Sequence, residues 1–294
     1  MVQVAVIADI HGNLPALQAV IEDIHHIEPD IVVVNGDMIN RGPQSRECVA
    51  AVRAQRWTVV YGNHEDYAIR RRTPKMPPEW LIPFFAPFQE VADSLNAEEA
   101  AYLEHLPRAL VLHWPELPPV RMMHGSPRAL NDGIGPWLDT TELDALLDTV
   151  PEAVLVGAHT HRAFEHRRAD GHMALNCGAV GVPYNGDTRA QYLLLHGEHG
   201  AWQPEFRGVP YDHQRVREAY EARGAFRHTI NHLFMYEIET ATFHLRPYLS
   251  FCREHALDPN EVTSFHRYRD EVGRHTPLGR FIPPPQKRPE RERA

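Results

Sequence analysis

What most constrains this chain is a pattern met three times between residues 2 and 66: an apolar run of strand length, a short polar cluster containing glycine, then a helical signature. Residues 2–8, VQVAVIA, form a near-continuous apolar run, and Leu14, Leu17, Val20, Ile21, Ile24 and Ile27 then recur at helical spacing. Asn13 is placed to cap that helix, with Pro15 in its first turn, where a missing N–H costs little. DIVVVNGD repeats the pattern as a second buried strand and WTVVYGNHED as a third. Strands alternating with helices predict an α/β fold with largely parallel pairing in the first third of the chain.

Further along, residues 73–95 (TPKMPPEWLIPFFAPF within them) are rich in proline and aromatics and read as an irregular insertion able to overhang a cleft. NAEEAAYLEHL follows as a short helix, with Asn96 and Glu99 at capping-box spacing. ALVLHW and VRMMHGS flank a Pro-rich turn as paired strands, and FEHRR, HMALN and AQYLLLH read as short strands of an antiparallel β region. From about residue 210 the texture turns helical, through DHQRVREAYEARG and the aromatic stretch 226–256. The parse is a catalytic domain over 1–209, a helical C-terminal appendage over 210–282 and a disordered, Pro- and charge-rich tail over 283–294.

With 294 residues and 43% hydrophobic content, the chain is long enough to bury a full core. No basic leader precedes the first strand, and no apolar run approaches the roughly 18 residues of a spanning helix, so a soluble, cytoplasmic protein is expected. Cys48, Cys177 and Cys252 match neither a disulfide framework nor a zinc-type CxxC pattern. A net charge of -9 works against attraction to long nucleic acid, while a local basic cleft could still hold a phosphate.

Five clusters follow apolar runs: ADIHGN (Asp9, His11), NGDMINRG (Asp37), YGNHED (Asn63, His64), MMHGS (His124) and VGAHTH (His159, His161). Singly, each has a plain explanation as a turn residue or a satisfied core histidine. Together they share one context, and strand ends in an α/β sheet converge on one edge, so the side chains can meet there. Carboxylate oxygens mixed with imidazole nitrogens suit Mn, Fe or Zn. Two cations roughly 3.5–4 Å apart activate a shared water and neutralise phosphoryl oxygens, which fits hydrolysis of a phosphate ester.

These residues make the sequence resemble the calcineurin-like metallophosphoesterase superfamily, whose pattern is D-x-H, G-D, G-N-H-E/D, H and G-H-x-H. The resemblance covers roughly residues 1–200 and implies a two-sheet αββα sandwich, here followed by the helical appendage. GDMINRGPQSRE is similar to the signature of serine/threonine phosphoprotein phosphatases and symmetrical dinucleoside tetraphosphate hydrolases. HGSPR and NCGAVGVPYNGD are similar to compact bacterial phosphoesterases of the diadenosine tetraphosphatase-like kind. Carried over by position, the resemblance implies that Asp9, His11 and His161 hold one metal and Asn63, His124 and His159 the other, with Asp37 bridging. His64 would protonate the leaving alkoxide or orient the attacked phosphate, and Arg41 would contact phosphate oxygens. The implied cofactors are two divalent or trivalent ions, manganese foremost, with iron or zinc as alternatives.

The implied reaction is hydrolysis of a phosphate monoester through a metal-bridging hydroxide. Phosphodiesterase and dinucleoside polyphosphate hydrolase chemistry are the alternatives. Substrates would be phosphorylated small molecules, nucleotides or phosphopeptides, and the C-terminal helices offer a contact for a homo-oligomer. A catalytically silent metal-binding scaffold is the competing reading from another class, and it predicts eroded ligands, whereas all of them are present. Asn40 departs from the phosphoprotein phosphatases, which carry an aspartate there paired with the general-acid histidine. An amide supports an imidazolium less than a carboxylate does, and Asp66 is a candidate substitute; Asn40 reads equally as a turn residue tolerant of unusual backbone angles. Arg128 is a secondary phosphate contact, Asn176 and Gly178 read as packing residues beside a tight turn, and His25-His26 as a solvated helix face.

Overall fold

The computed structural model describes residues 1–272 of the chain. In chain order the elements are β1 (Val2–Ile7), α1 (Leu14–Ile27), β2 (Ile31–Val34), α2 (Ser45–Gln55), β3 (Thr58–Val59), α3 (Asn63–Arg71), α4 (Ala86–Ser94) and α5 (Ala97–Glu104). They continue with β4 (Leu110–Trp114), β5 (Leu117–Met122), α6 (Thr140–Leu147), β6 (Val154–Gly157), β7 (Ala163–Arg167), β8 (Met173–Cys177), β9 (Ala190–Glu198) and β10 (Ala201–Val209). Four helices close the described chain: α7 (His213–Ala222), α8 (Thr229–Thr240), α9 (Leu245–Glu254) and α10 (Val262–Glu271). The tail expected over 283–294 lies outside the described residues.

Ten strands form two five-stranded sheets, in the orders β10-β9-β1-β2-β3 and β4-β5-β6-β8-β7. Period-two alternation explains how they stack. Val4 and Val6 of β1 face the second sheet and pack with Val120, Met122, Val156 and Leu175, while Ala5 and Ile7 face α1 and α2. On the far side, Leu143, Leu146 and Leu147 of α6 cover Leu155 and Ala174. Helix, sheet, sheet, helix is the resulting order of layers, the αββα sandwich that the family resemblance implies.

Asn13 caps α1 by accepting from the Ala16 amide at 3.2 Å, and Asn96 and Glu99 close the capping box of α5. Two readings need correction. The region after residue 110 is mixed: β5, β6 and β8 run parallel, and only β4 and β7 join it antiparallel. β9, expected in that same region, crosses to pair antiparallel with β1, because its apolar run Tyr192–Leu195 is buried on both faces, as a central strand requires. The 73–95 insertion is also more regular than its prolines suggest. Pro87 falls in the first turn of α4, where proline is tolerated, so the helix forms.

The C-terminal helices are built into the core. Phe234, Tyr248, Phe265 and Tyr268 pack with Tyr67 of α3 and Phe84 and Phe88 from the insertion. The stretch 226–256 breaks into α8 and α9 at Ala241, which takes a left-handed conformation. His244, just after that break, is fully buried, with Nδ1 2.9 Å from the Tyr268 hydroxyl and Nε2 3.1 Å from Thr240 Oγ1. Burial pushes its imidazole from 6.5 down to about 4. Between those values the unfolded chain binds a proton that the folded chain refuses, so this contribution is whole above pH 6.5 and lost as pH falls toward 4. About 3 kcal/mol is at stake across the window. Thermal melts at pH 7 and 4.5 should show a smaller pH penalty in His244→Gln than in the parent; equal penalties would refute the assignment. No described helix is long and apolar enough to cross a membrane.

Candidate dinuclear metal centre

The loops after β1, β2, β3, β5 and β6 meet at one edge of the sandwich and bring all five polar clusters together. The strands end in abrupt turns that force left-handed backbone at non-glycine positions: Asp9 (φ 51°), His11 (48°), Asp37 (57°), Asn40 (68°), Arg41 (62°), His159 (66°) and His161 (60°). Each such residue costs roughly 1 kcal/mol or more, and strain so concentrated marks a site whose geometry is imposed by its surroundings. Gly36 (φ 89°) and Gly62 are required for a different reason. A Cβ at Gly36 would lie 2.6 Å from His124 Nδ1, and one at Gly62 would lie 2.2 Å from Asp37 Oδ1.

Two donor groups result. In the first, Asp9 Oδ1 lies 3.3 Å from His161 Nε2 and 3.7 Å from His11 Nε2. In the second, Asn63 Oδ1 lies 2.9 Å from His124 Nε2 and 2.8 Å from His159 Nδ1. Asp37 Oδ2 stands between them, 3.7 Å from His11 Nε2 and 3.2 Å from His124 Nε2. The sequence-selected Asp9, His11, Asp37, Asn63, His124, His159 and His161 are therefore all brought together at this edge.

The donors fit cations. His11 and His161 turn Nδ1 to the carbonyls of Ile39 (3.2 Å) and Val182 (2.6 Å), which places the proton on Nδ1 and leaves each Nε2 lone pair inward. Those lone pairs face each other at 3.1 Å, a repulsive arrangement unless a positive charge joins them. Asp9 Oδ1 is buried and accepts no hydrogen bond. Burial pulls His124 down, yet Asp37 and Asp9 beside it hold its imidazole at about 10. Burial raises Asp9 well above the usual carboxylate range, whereas His124 and His64 hold Asp37 well below it against the same burial. Burial also lowers His11, His159 and His161, which keeps those imidazoles neutral, the form that ligates a cation.

His64 begins α3 beside these groups, with its ring edge-on to His11 at 4.7 Å and to Phe88 at 5.2 Å. Its Nδ1 is buried without a hydrogen-bond partner, and burial lowers its pKa to about 4. The support expected for this ring is absent among the described contacts. Asn40 Nδ2 reaches the His64 carbonyl at 3.5 Å, not the imidazole, and Asn40 serves the turn through its left-handed backbone. Asp66 turns to Tyr61, Arg70 and Arg108. Arg41 faces the cleft but is gripped by Glu237 of α8 at 2.9 Å and by the Tyr184 hydroxyl at 2.5 Å. Arg128 pairs with Asp132 at 2.6 Å, away from the metal donors. Asn176 bonds the Ala158 carbonyl (2.7 Å) and Thr160 Oγ1 (2.9 Å), holding the loop that carries His159 and His161, and Gly178 donates to its side-chain oxygen. His25 and His26 lie on the exposed face of α1.

Three residues escaped the sequence reading. Glu65, fully buried, accepts from the amides of Asp37 (2.8 Å), Met38 (2.8 Å) and Gly62 (3.0 Å), pinning the second cluster to the third. Its place in the G-N-H-E pattern was the available signal. Tyr184 stacks on His161 with centroids 4.6 Å apart and planes 3° apart, and Glu237 accepts from it at 2.8 Å. Tyr184 lies within the NCGAVGVPYNGD stretch, which was the available signal, whereas Glu237 lies in no recognisable motif. The metal donors open onto a cleft of about 1030 Å³, walled in part by Met76, Pro77 and Trp80 of the insertion and by Phe243, Leu245 and Arg246 from the C-terminal helices.

Fold and donor set together define a metal-dependent phosphoesterase. A family model for the calcineurin-like phosphoesterases matches residues 2–163, and the chain belongs to that family, which uses a dinuclear metal centre. An uncharacterised protein of Methanocaldococcus jannaschii is 25% identical over 237 residues, 74% of this chain and 90% of its own length. Serine/threonine-protein phosphatase 1 of Salmonella typhimurium is 35% identical over 102 residues, 34% of this chain and 45% of its own length. Among solved structures, a hypothetical protein of Pyrococcus horikoshii superposes with a TM-score of 0.67 at 23% identity, over 76% of this chain and 94% of that one. A metallophosphoesterase of Sphaerobacter thermophilus gives 0.62 at 23% identity, over 82% and 99%. At such identity these two likenesses speak to the fold alone.

Proposed function

We propose that the protein is a phosphomonoesterase for small phosphorylated molecules, working with two manganese-type cations. The observation that carries this reading is Asp37 Oδ2 standing between the two donor groups, of which Asn63, His159 and His161 line the cleft. In this reading Asp9, His11 and His161 hold one ion, Asn63, His124 and His159 the other, and Asp37 bridges. Bound there, the ions would lower the pKa of a shared water and neutralise the phosphoryl oxygens. The cleft's enclosure by the insertion and the C-terminal helices favours a small ester over a phosphorylated protein surface.

With the manganese-loaded enzyme, kcat/KM for p-nitrophenyl phosphate should exceed that for bis(p-nitrophenyl) phosphate, with Asp37→Asn as the blank. Preference for the diester would transfer the proposal to phosphodiesterase or dinucleotide hydrolase chemistry, and no turnover above the blank would return it to a scaffold.

His64 is assigned to the leaving oxygen, as a proton donor or as a hydrogen-bond donor to the phosphate. The two roles separate by leaving group. A nitrophenolate departs without a proton and an alkoxide does not, so an acid matters roughly 10²–10⁴-fold only for the alkyl ester. His64→Asn should therefore lose far more activity on an alkyl phosphate than on p-nitrophenyl phosphate. Equal losses would assign His64 to orientation of the phosphate.

A further inference from the structure

We infer that the cleft binds a phosphate ester carrying a planar ring and a second anionic group, the latter held away from the metal donors by Arg70, Arg108 and Arg246. The inference rests on the phosphoesterase reading and names what else its substrate carries. One face of α3 lines the cleft, from Asn63 and His64 through Asp66 and Tyr67 to Arg70. At about 1.5 Å per residue, Arg70 lies roughly 10 Å along the axis from Asn63. Reach along the cleft is thus graded, with metal donors at one end of the helix and a guanidinium two turns on.

The charges there do not balance. Arg70 and Arg108 share the single carboxylate of Asp66, at 2.5 and 3.5 Å. Arg246, in the first turn of α9, lines the same cleft and makes no hydrogen bond or ion pair among the described residues. Of the other lining carboxylates, Asp132 pairs with Arg128 at 2.6 Å, while Glu142 accepts from the Asp139 amide at 3.1 Å and keeps its charge, so three guanidinium groups face two carboxylates. Guanidinium groups without matching carboxylates, set in a concave and partly apolar wall, are suited to a phosphate or carboxylate of the ligand.

The wall itself suits a flat ring. Trp80 and Trp137 line it, and Trp137 is folded back across two glycines. A Cβ at Gly135 would sit 2.2 Å from Trp137 Cη2, and one at Gly133 3.2 Å from Cζ2, so the sequence GIGPW fixes where that indole lies. Indole faces supply stacking area at low entropic cost. A cleft of about 1030 Å³ is far larger than a phosphoryl group and its ester oxygen need. A nucleoside bisphosphate combines the three features: a phosphate for the metals, a base for the indoles and a second phosphate for the arginines.

The test uses the manganese-loaded full chain with p-nitrophenyl phosphate, a nucleoside 5′-monophosphate and the matching 3′,5′-bisphosphate, followed by turnover and by calorimetric Kd. The bisphosphate should show a KM and Kd at least tenfold below those of the monophosphate. Arg108→Met combined with Arg246→Met should erase that difference while leaving kcat within a few-fold; Arg108 is largely exposed, so the fold should survive, which circular dichroism checks. Equal Kd values for the two nucleotides, or a preference that persists in the double variant, would overturn the subsite. Tight bisphosphate binding without turnover of any ester would overturn only the phosphoesterase reading.

Discussion

Asp37→Asn is expected to lower kcat on a phosphate ester by about a thousandfold or more and to reduce the bound metal from two ions per chain to at most one. The substitution keeps the shape and the Oδ1 acceptor, which takes the His64 amide at 2.8 Å, so the start of α3 should hold its place. What it removes is charge. Asp9 and Asp37 are the two carboxylates among the proposed ligands, and both are buried. The loss should appear in metal content by mass spectrometry of the dialysed protein as well as in rate. A variant that binds two ions and turns over within tenfold of the parent would show that the bridge lies elsewhere.

Chelation offers a stability readout of the same site. With the ions removed, the facing Nε2 atoms of His11 and His161 and the buried Asp9 carboxylate lose their compensation. Ligand present at a hundred times its Kd stabilises the native state by about 2.7 kcal/mol, so the thermal midpoint should fall on chelation and return on adding Mn²⁺. In Asp37→Asn the shift should shrink.

How much of this was legible in the sequence depends on the range of the interactions involved. β1, α1 and the capping of α5 are local, set by periodicity and by residues three apart, and they appear as read. The seven candidate donors could be grouped from the sequence because they follow five strand ends, and the topology of an α/β edge gathers strand ends without further information. β9 was misplaced because its partner, β1, lies nearly two hundred residues away, and alternation alone cannot say which sheet a doubly buried strand joins. Asn40 left two readings open, a side-chain role beside His64 and a turn residue; its backbone at φ 68° and its amide's reach to a carbonyl are those of a turn residue. Arg41, expected to contact phosphate oxygens, faces the cleft, and its grip by Glu237 spans 196 positions and joins a segment beyond the matched family region.

That grip carries the other large expectation, a loss of both stability and turnover in Glu237→Gln. The carboxylate is fully buried and satisfies four donors: Arg41 and Tyr184 on one oxygen, the amides of His244 (2.7 Å) and Leu245 (2.9 Å) on the other. Removing one partner of a buried ion pair strands the other charge, at about 3–5 kcal/mol. Turnover should fall as well, because Tyr184 links the pair to the ring of His161 and Arg41 loses its fixed direction. A stability loss alone would not distinguish a positioning role from a packing one. The double variant Arg41→Met, Glu237→Gln does, since it removes both charges and should regain most of the stability while kcat/KM stays low. If the double variant regains activity with stability, Arg41 serves only to neutralise Glu237; if Glu237→Gln alone leaves kcat/KM at the parental value, the C-terminal helices shape the cleft without setting its chemistry.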